Sequence, residues 1–344
     1  MIDWSLVQFP LLHAPLSSGV VISVNADGTE DWRSPKRVQA TGSFEKSISV
    51  KSIGGDGAGN ATHLWMNGNP SKFLQGHNVF GSDDIVSLLY DVFIRIVKQF
   101  NLKPTKDELE RVRVGDYDLT MVDINYSFLL PSRADVLAFI RALEFKAKTR
   151  HGKPSTKGGT LYFGKTSEYW AMKFYCKAEE IQTTRGKLPL EIQDKGIEKW
   201  VDNILRVELR LLSKQLKRLN ILKVKDLNKL NIKQLFNEYL RKIDMTEQIK
   251  LTDEVMLNMP NKLRSTYTLW SEGHDLRSLI SKSAYYRHRK DLKEFGINID
   301  LRPESINKSN VIPLVRVLEA QPVEIPYWAF DQGLVHHSAA LINS

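Results

Sequence analysis

One cysteine in 344 residues is too few for an internal disulfide or a cysteine-based zinc cluster, and Cys176 reads as a core thiol. Histidine offers no metal signature either. His13, His63, His77, His151, His274, His288, His336 and His337 include no His-x-His or His-Glu-x-x-His arrangement. No apolar run approaches the ~20 residues that span a bilayer, and the N-terminus lacks a basic stretch followed by a hydrophobic one and a cleavage site. A cytoplasmic protein without membrane contact is the expectation. There is no Gly-x-x-x-x-Gly-Lys-[Ser/Thr] loop; the glycine-rich run from Gly54 to Asn60 has no lysine and precedes a strand, so it reads as a hairpin loop. Acidic residues are outnumbered by basic ones, 40 against 49, which gives a net charge of +9 and favours a polyanionic partner, nucleic acid first.

The length suits two domains, and the texture changes near residue 212. Before it, short runs alternate with period two and are interrupted by polar or Gly-rich turns. Two helices break the pattern, one predicted from Asp83 to Phe100 behind the capping residues Ser82 and Asp83, the other from Ser132 to Lys148 after Pro131. Glu179 to Gly196 reads as a polar connection with some helix. After residue 212 leucines recur at helical spacing, among them Leu216, Leu219, Leu222, Leu227, Leu230, Leu235 and Leu240. The expected fold class is α+β: an antiparallel sheet with packed helices over residues 1–211, a helical domain over 212–330, and a tail over 331–344.

The segment from Gly158 to Glu180 carries the most chemistry. Read as a strand, it puts Lys173, Tyr175 and Lys177 on one face and Met172, Phe174 and Cys176 on the other. A phenol between two ammonium groups suits a nucleophile that approaches a phosphodiester, although a half-buried strand with solvated lysines gives the same pattern. Two more strands share the design. Met121 to Phe128 alternates with Asp123 and Asn125 on its polar side, and Leu205 to Leu211 with Arg206, Glu208 and Arg210. Paired in one sheet, the three would collect Asp123, Tyr175, Lys177 and Glu208 on one open face. Each carboxylate alone is also what a solvated strand carries. Lys72 to Gly81 reads as a strand running into a turn, where His77, between Gly76 and Asn78, is either a divalent-ion ligand or a turn histidine bonded to backbone.

Leu74–Gly81 (LQGHNVFG), VDINYSF (122–128), FYCK (174–177), LRVELRL (205–211) and VIPLVRVLEA (311–320) resemble, in order, the landmarks of the replication initiators of filamentous phages, the gene II and gene X type. The likeness runs from about Met1 to Trp328. That family is similar in turn to rolling-circle initiators, whose nucleophilic tyrosine lies in a Tyr-x-Lys strand followed by a Val-Glu strand. The resemblance implies an HUH-like nicking domain in which Tyr175 is the nucleophile, Lys177 its electrostatic assistant, and Asp123 and Glu208 metal ligands. The wider class is named for two histidines flanking a hydrophobic residue; that triplet is absent here, and His77, Asp123 and Glu208 stand in for it. Tyr169, in phase with Tyr175, is a second candidate nucleophile, and Tyr162 lies close by.

These residues imply a site- and strand-specific nickase and ligase of phage origin DNA. Mg²⁺ or Mn²⁺ is the expected cofactor, and host helicase and DNA polymerase are the expected partners. From Arg277 to Lys290 there are five basic residues, Arg277, Lys282, Arg287, Arg289 and Lys290, and no acidic one. A helix-turn-helix-like unit ending in that basic, aromatic helix suits a DNA groove. Lys173 and Arg206 on the sheet are further candidate DNA contacts. The rival reading is a DNA-binding regulator with the same sheet and no chemistry.

Overall fold

The structure is a computed structural model that describes residues 1–17, 19–148, 154–184, 186–245, 259–271, 274–294, 299 and 322–337. VIPLVRVLEA (311–320) lies outside the described residues, as does the second half of the expected tail, 338–344. In chain order the strands are β1 (Ile2–His13), β2 (Val20–Val24), β3 (Glu30–Pro35), β4 (Val38–Thr41), β5 (Ser47–Ile53), β6 (Ala61–Gly68), β7 (Asp118–Leu129), β8 (Ala147–Lys148), β9 (Ser155–Lys157), β10 (Thr160–Phe163), β11 (Trp170–Cys176), β12 (Ile204–Leu212) and β13 (Asp244–Met245). Nine of them form one sheet in the order β4-β5-β6-β1-β7-β12-β11-β10-β9. Every pairing in it is antiparallel.

Period-two alternation explains the middle of the sheet. Val122, Ile124 and Phe128 of β7, Leu205, Val207, Leu209 and Leu211 of β12, and Met172, Phe174 and Cys176 of β11 are all buried. Their registers place Val207 opposite both Phe174 and Tyr126, so these residues share one face. The helix Ile232–Leu240 packs on that face, with Phe236 edge-on to Tyr126 at 4.9 Å and Tyr239 edge-on to Trp170 at 5.3 Å. The change of texture at residue 212 therefore marks a change of secondary structure, not of core. Leu216, Val224, Leu227, Leu235 and Phe236 join the sheet's core, and a second cluster, built on Met259, Leu263, Leu276, Tyr285 and Leu292, begins only at residue 259.

Four helices precede β8: α1 (Pro70–Gln75), α2 (Ile85–Gln99), α3 (Lys106–Arg113) and α4 (Arg133–Lys146). α2 buries Ile85, Leu88, Leu89, Val92, Phe93 and Ile96, the spacing of one helical stripe, and starts at the Asp84 cap, one residue after the expected cap. α1 corrects the reading of Lys72 to Gly81 as a strand. Asn69 caps it by accepting from the Lys72 amide, Pro70 begins it, and Gly76 ends it at φ 85°. A Cβ on Gly76 would also meet the Phe44 ring at 2.4 Å, so the short apolar run becomes a helical turn followed by a left-handed stop. The Gly54 to Asn60 loop does join β5 to β6 as a hairpin, with Asp56 accepting from the Ala58 and Asn60 amides.

Candidate functional site

The polar face of β7, β12 and β11 gathers the expected groups, but it is not open. Asp123 is 1% exposed, Glu208 5%, Tyr175 8% and Arg206 0%, so both faces of these strands are interior. Register sets the rows: Arg210 lies opposite Asp123, Glu208 lies between Lys173 and Asn125, and Arg206 lies between Tyr175 and Ser127. Buried charge survives here because it is either paired with an opposite charge, as at Asp123 and Glu208, or hydrogen-bonded to neutral oxygens, as at Arg206. Arg210 grips Asp123 with both prongs, Nε to Oδ1 at 2.7 Å and Nη2 to Oδ2 at 2.6 Å. Lys173 donates to Glu208 and reaches within 3.9 Å of Asp123. Burial and the Asp123 carboxylate raise the Glu208 carboxyl above the usual range. Burial works to discharge Lys173, but Glu208 and Asp123 overcome it and keep the ammonium charged.

Over the next row lies the loop from Gly76 to Phe80. Arg206 donates to the carbonyls of Asn78 at 3.2 Å and Val79 at 2.8 Å, and to Asn125 Oδ1 at 2.8 Å. Lys177 lies not on β11 but at the start of the next helix, Lys177–Ile181. Its fully buried ammonium donates to Asn78 Oδ1 at 2.9 Å and to Glu180 at 2.5 Å, and burial pulls it down to about 8. Asn78 completes the knot by donating to Asp3 Oδ1 at 2.8 Å, an oxygen that also accepts from Asn69 at 2.6 Å. Asp3 sits where β1 slips register against β7, between Ile2 and Trp4. The phenol between two ammonium groups thus has a different setting: Lys173 faces carboxylates, Lys177 faces Asn78 and Glu180, and burial with Glu208 pushes the Tyr175 hydroxyl well above its ordinary value.

His77 does not join Asp123 and Glu208. Its Nδ1 accepts from the Val79 amide at 3.2 Å and its Nε2 donates to the Leu334 carbonyl at 2.9 Å, so both ring nitrogens are committed to backbone. The expected trio of ligands is not assembled, and among the described residues no group of three His, Cys, Asp or Glu side chains is placed to hold a metal ion. A divalent ion on the remaining pair, Asp123 and Glu208, requires Lys173 and Arg210 to give way. His77 instead anchors the segment 322–337, whose His336 amide donates to Gln75 at 2.8 Å and whose Trp328 meets Phe80 edge-on at 5.8 Å.

Burial holds His77 down to about 4, against 6.5 when exposed. The unfolded chain then binds the extra proton between these values, so stability contributed above pH 6.5 is lost as pH falls towards 4, by about 3 kcal/mol in all. Urea denaturation at pH 7 and pH 4.5 should show a loss that shrinks by most of that amount in His77→Gln. An unchanged pH dependence would remove the histidine from the interior.

Sequence reasoning singles out His77 and passes over Asn78, Asp3 and Arg210. Arg210 is visible in phase with Arg206 and Glu208, whereas Asp3 enters only through the β1 irregularity, which leaves no mark in the sequence. Of the candidate DNA contacts, Arg206 is fully buried and Lys173 is held by carboxylates. The second cluster keeps the others. On the helix Lys282–Glu294, Tyr285, His288 and Leu292 face inward, with Thr266 bonded to His288 at 2.8 Å, while Lys282, Tyr286, Arg287 and Lys290 are exposed. Arg289 is half-buried, off that exposed face, and the exposed Arg277 places its guanidinium 5.3 Å over the Tyr285 ring. Tyr169 is half-exposed beside the sheet, with Arg218 at 4.0 Å and Lys214 at 5.9 Å from its ring. Tyr162 is also half-buried, opposite Lys173 on β10.

Set beside known proteins, residues 1–335 find counterparts. The family model for the N-terminal part of the phage replication-associated protein of the gene II type matches residues 1–254, and the model for its C-terminal part matches residues 251–335. The replication-associated protein of Enterobacteria phage I2-2 is 45% identical over 328 residues, 95% of either chain. The chain belongs to this family of phage replication-associated proteins, the filamentous-phage replication initiators that its motifs resemble. Its family role is in DNA replication, and among the described residues no helix is long and apolar enough to cross a membrane.

Proposed function

We propose that this initiator is a site- and strand-specific DNA endonuclease and ligase that opens and reseals the phage origin through a 5′-phosphotyrosine link. The observation that carries the reading is the single sheet face on which Tyr175 lies beside a carboxyl of raised pKa and a buried guanidinium. In the reaction the Tyr175 oxygen bonds to phosphorus, the bond to the 3′ oxygen breaks, and that oxygen leaves with a proton as a primer hydroxyl. Glu208 is the base and then the acid: a carboxyl lifted towards neutrality is matched to taking the phenol proton and passing it to the leaving 3′ oxygen, and in the joining step it moves the same proton back from the 3′ hydroxyl to the phenol. Arg206 and Lys177 supply positive charge against the negative charge added at phosphorus. Because the ester conserves the phosphodiester's energy, rejoining needs no nucleotide. Mg²⁺ or Mn²⁺ is the proposed cofactor, which Asp123 and Glu208 would hold and which would polarise the scissile phosphate.

The enclosure of Tyr175 has a consequence: DNA reaches the phenol only after the Gly76–Phe80 loop lifts. Tyr169 supports a second reading, since it is half-exposed and already flanked by two cations. On either reading the sheet is the HUH-like nicking domain and the three helices from Asn261 to Glu294 are the helix-turn-helix-like DNA grip. Host helicase and polymerase would act on the nicked product, in the bacterial cytoplasm.

The test is supercoiled origin plasmid with Mg²⁺, which should give nicked circles and detergent-resistant protein–DNA adducts. A retarded band alone would favour a DNA-binding regulator. In the same assay, replacing Arg287 and Lys290 with Ala should weaken duplex-origin binding and reduce its salt slope by roughly one per lost phosphate contact, leaving cleavage of a single-stranded oligonucleotide intact. Equal losses on both substrates would make that helix a structural support.

A further inference from the structure

The hairpin of β2 and β3 stands apart from the nine-stranded sheet as a two-stranded sheet of its own. A lone hairpin in water is marginal, and its side chains are unusual for one left in solvent. Val20, Val21, Ile22, Val24 and Trp32 are 43–59% exposed, on both of its faces. It is not a loose excursion. Its turn is tied by Asn25 to Thr29 at 2.8 Å and by Asp27 to the Thr29 amide at 3.0 Å, and its base is held by Lys36 to the Gly19 carbonyl at 2.9 Å and by Lys51 of β5 to Ser34 at 2.8 Å. β2, Val-Val-Ile-Ser-Val, pairs only with β3 among the described residues, so its other edge is free. That edge carries no charge, no proline and, apart from the slip between Ser23 and Val24, no irregularity that would blunt it.

We infer that β2 is a pairing edge for a second copy of this chain, joined strand to strand about a two-fold axis at Ile22. Charge selects that occupant. The hairpin is polarised along its length: Asp27 and Asp31 lie at the tip, where Glu30 is already paired with Arg33 at 2.6 Å, and Lys36 and Arg37 lie at the base. The carboxylates repel nucleic acid. An antiparallel two-fold pairing lays the tip of each copy beside the base of the other and sets Val24 of one copy opposite Val20 of the other. The pairing aligns Val20, Ile22 and Val24 of both copies in one apolar stripe and gives a four-stranded sheet, β3-β2-β2-β3. Five residues a side make a small contact, so the association is weak in free solution and is strengthened when two copies occupy neighbouring DNA sites.

Sedimentation equilibrium of the full chain should show a concentration-dependent doubling of mass. Ile22→Lys and, independently, Val21→Lys should abolish it, and because both positions are exposed the thermal midpoint should stay in place. The lone native thiol, Cys176, is buried, which makes Ile22→Cys a clean reporter: mild oxidation should give a disulfide-linked dimer. A chain that stays monomeric at every attainable concentration would overturn the inference and leave the hairpin to another protein. A dimer that survives both lysine substitutions, or that fails to cross-link through position 22, would place the contact on another surface.

Discussion

Tyr175→Phe is expected to remove the covalent protein–DNA adduct and to slow nicking of origin DNA by roughly 10⁴-fold or more, the scale on which loss of a covalent nucleophile registers. The substitution deletes one oxygen and keeps the ring, so the row shared with Arg206 and Ser127 stays filled and origin binding should persist. Tyr169→Phe is the necessary companion. Tyr169 lies outside the loop-covered row and is covered by Arg218, so its loss should change cleavage only a few-fold through altered strand binding. The reverse result, an adduct that survives Tyr175→Phe and vanishes with Tyr169→Phe, would make Tyr175 a structural phenol whose burial needs no opening of the loop. The readout is a labelled single-stranded oligonucleotide carrying the cleavage site, analysed on a denaturing gel with duplex binding measured in parallel.

How much of this was legible in the sequence follows from the range of the interactions. The faces of β7, β11 and β12 were legible because alternation is local and the side-chain period of a strand is two; Glu208, Lys173 and Asp123 share a face as their positions require. Burial of that face was not. The pattern Arg206, Glu208, Arg210 reads as solvated charge, and what encloses it is a loop from far earlier in the chain whose carbonyls accept hydrogen bonds from Arg206, the sequence separations being 128 and 127. His77 shows the same limit. Its glycine and asparagine neighbours were right for a tight turn, but its partner, the Leu334 carbonyl, lies 257 residues away, so a ring that looked available for a metal is committed to backbone. The leucine spacing after residue 212 correctly indicated helices, yet spacing cannot say which core a helix joins.

Arg206 is where fold and site meet, and its replacement carries the second large effect. Its guanidinium is fully buried and donates to two loop carbonyls and one amide oxygen, all neutral acceptors. In Arg206→Met the stem volume is kept while three interior acceptors lose their donors, at ~1–3 kcal/mol each. Relief from burying a charge offsets part of that, and a net loss of about 3–5 kcal/mol is expected. Arg206→Lys should rescue little of it, because one ammonium cannot span both carbonyls as the planar fork does. The loss should concentrate in the loop. Hydrogen exchange at the Val79 and Phe80 amides should accelerate far more than exchange in β7, and Tyr175 should gain access to water and to small phenol-modifying reagents. If the loop is a cover that DNA must displace, residual cleavage of a short single-stranded oligonucleotide at low temperature, where the variant stays folded, should depend less on substrate concentration than in the native chain. A variant that keeps native stability and native protection of the loop would show that the Asn78 bonds to Asp3 and Lys177 hold it without the guanidinium.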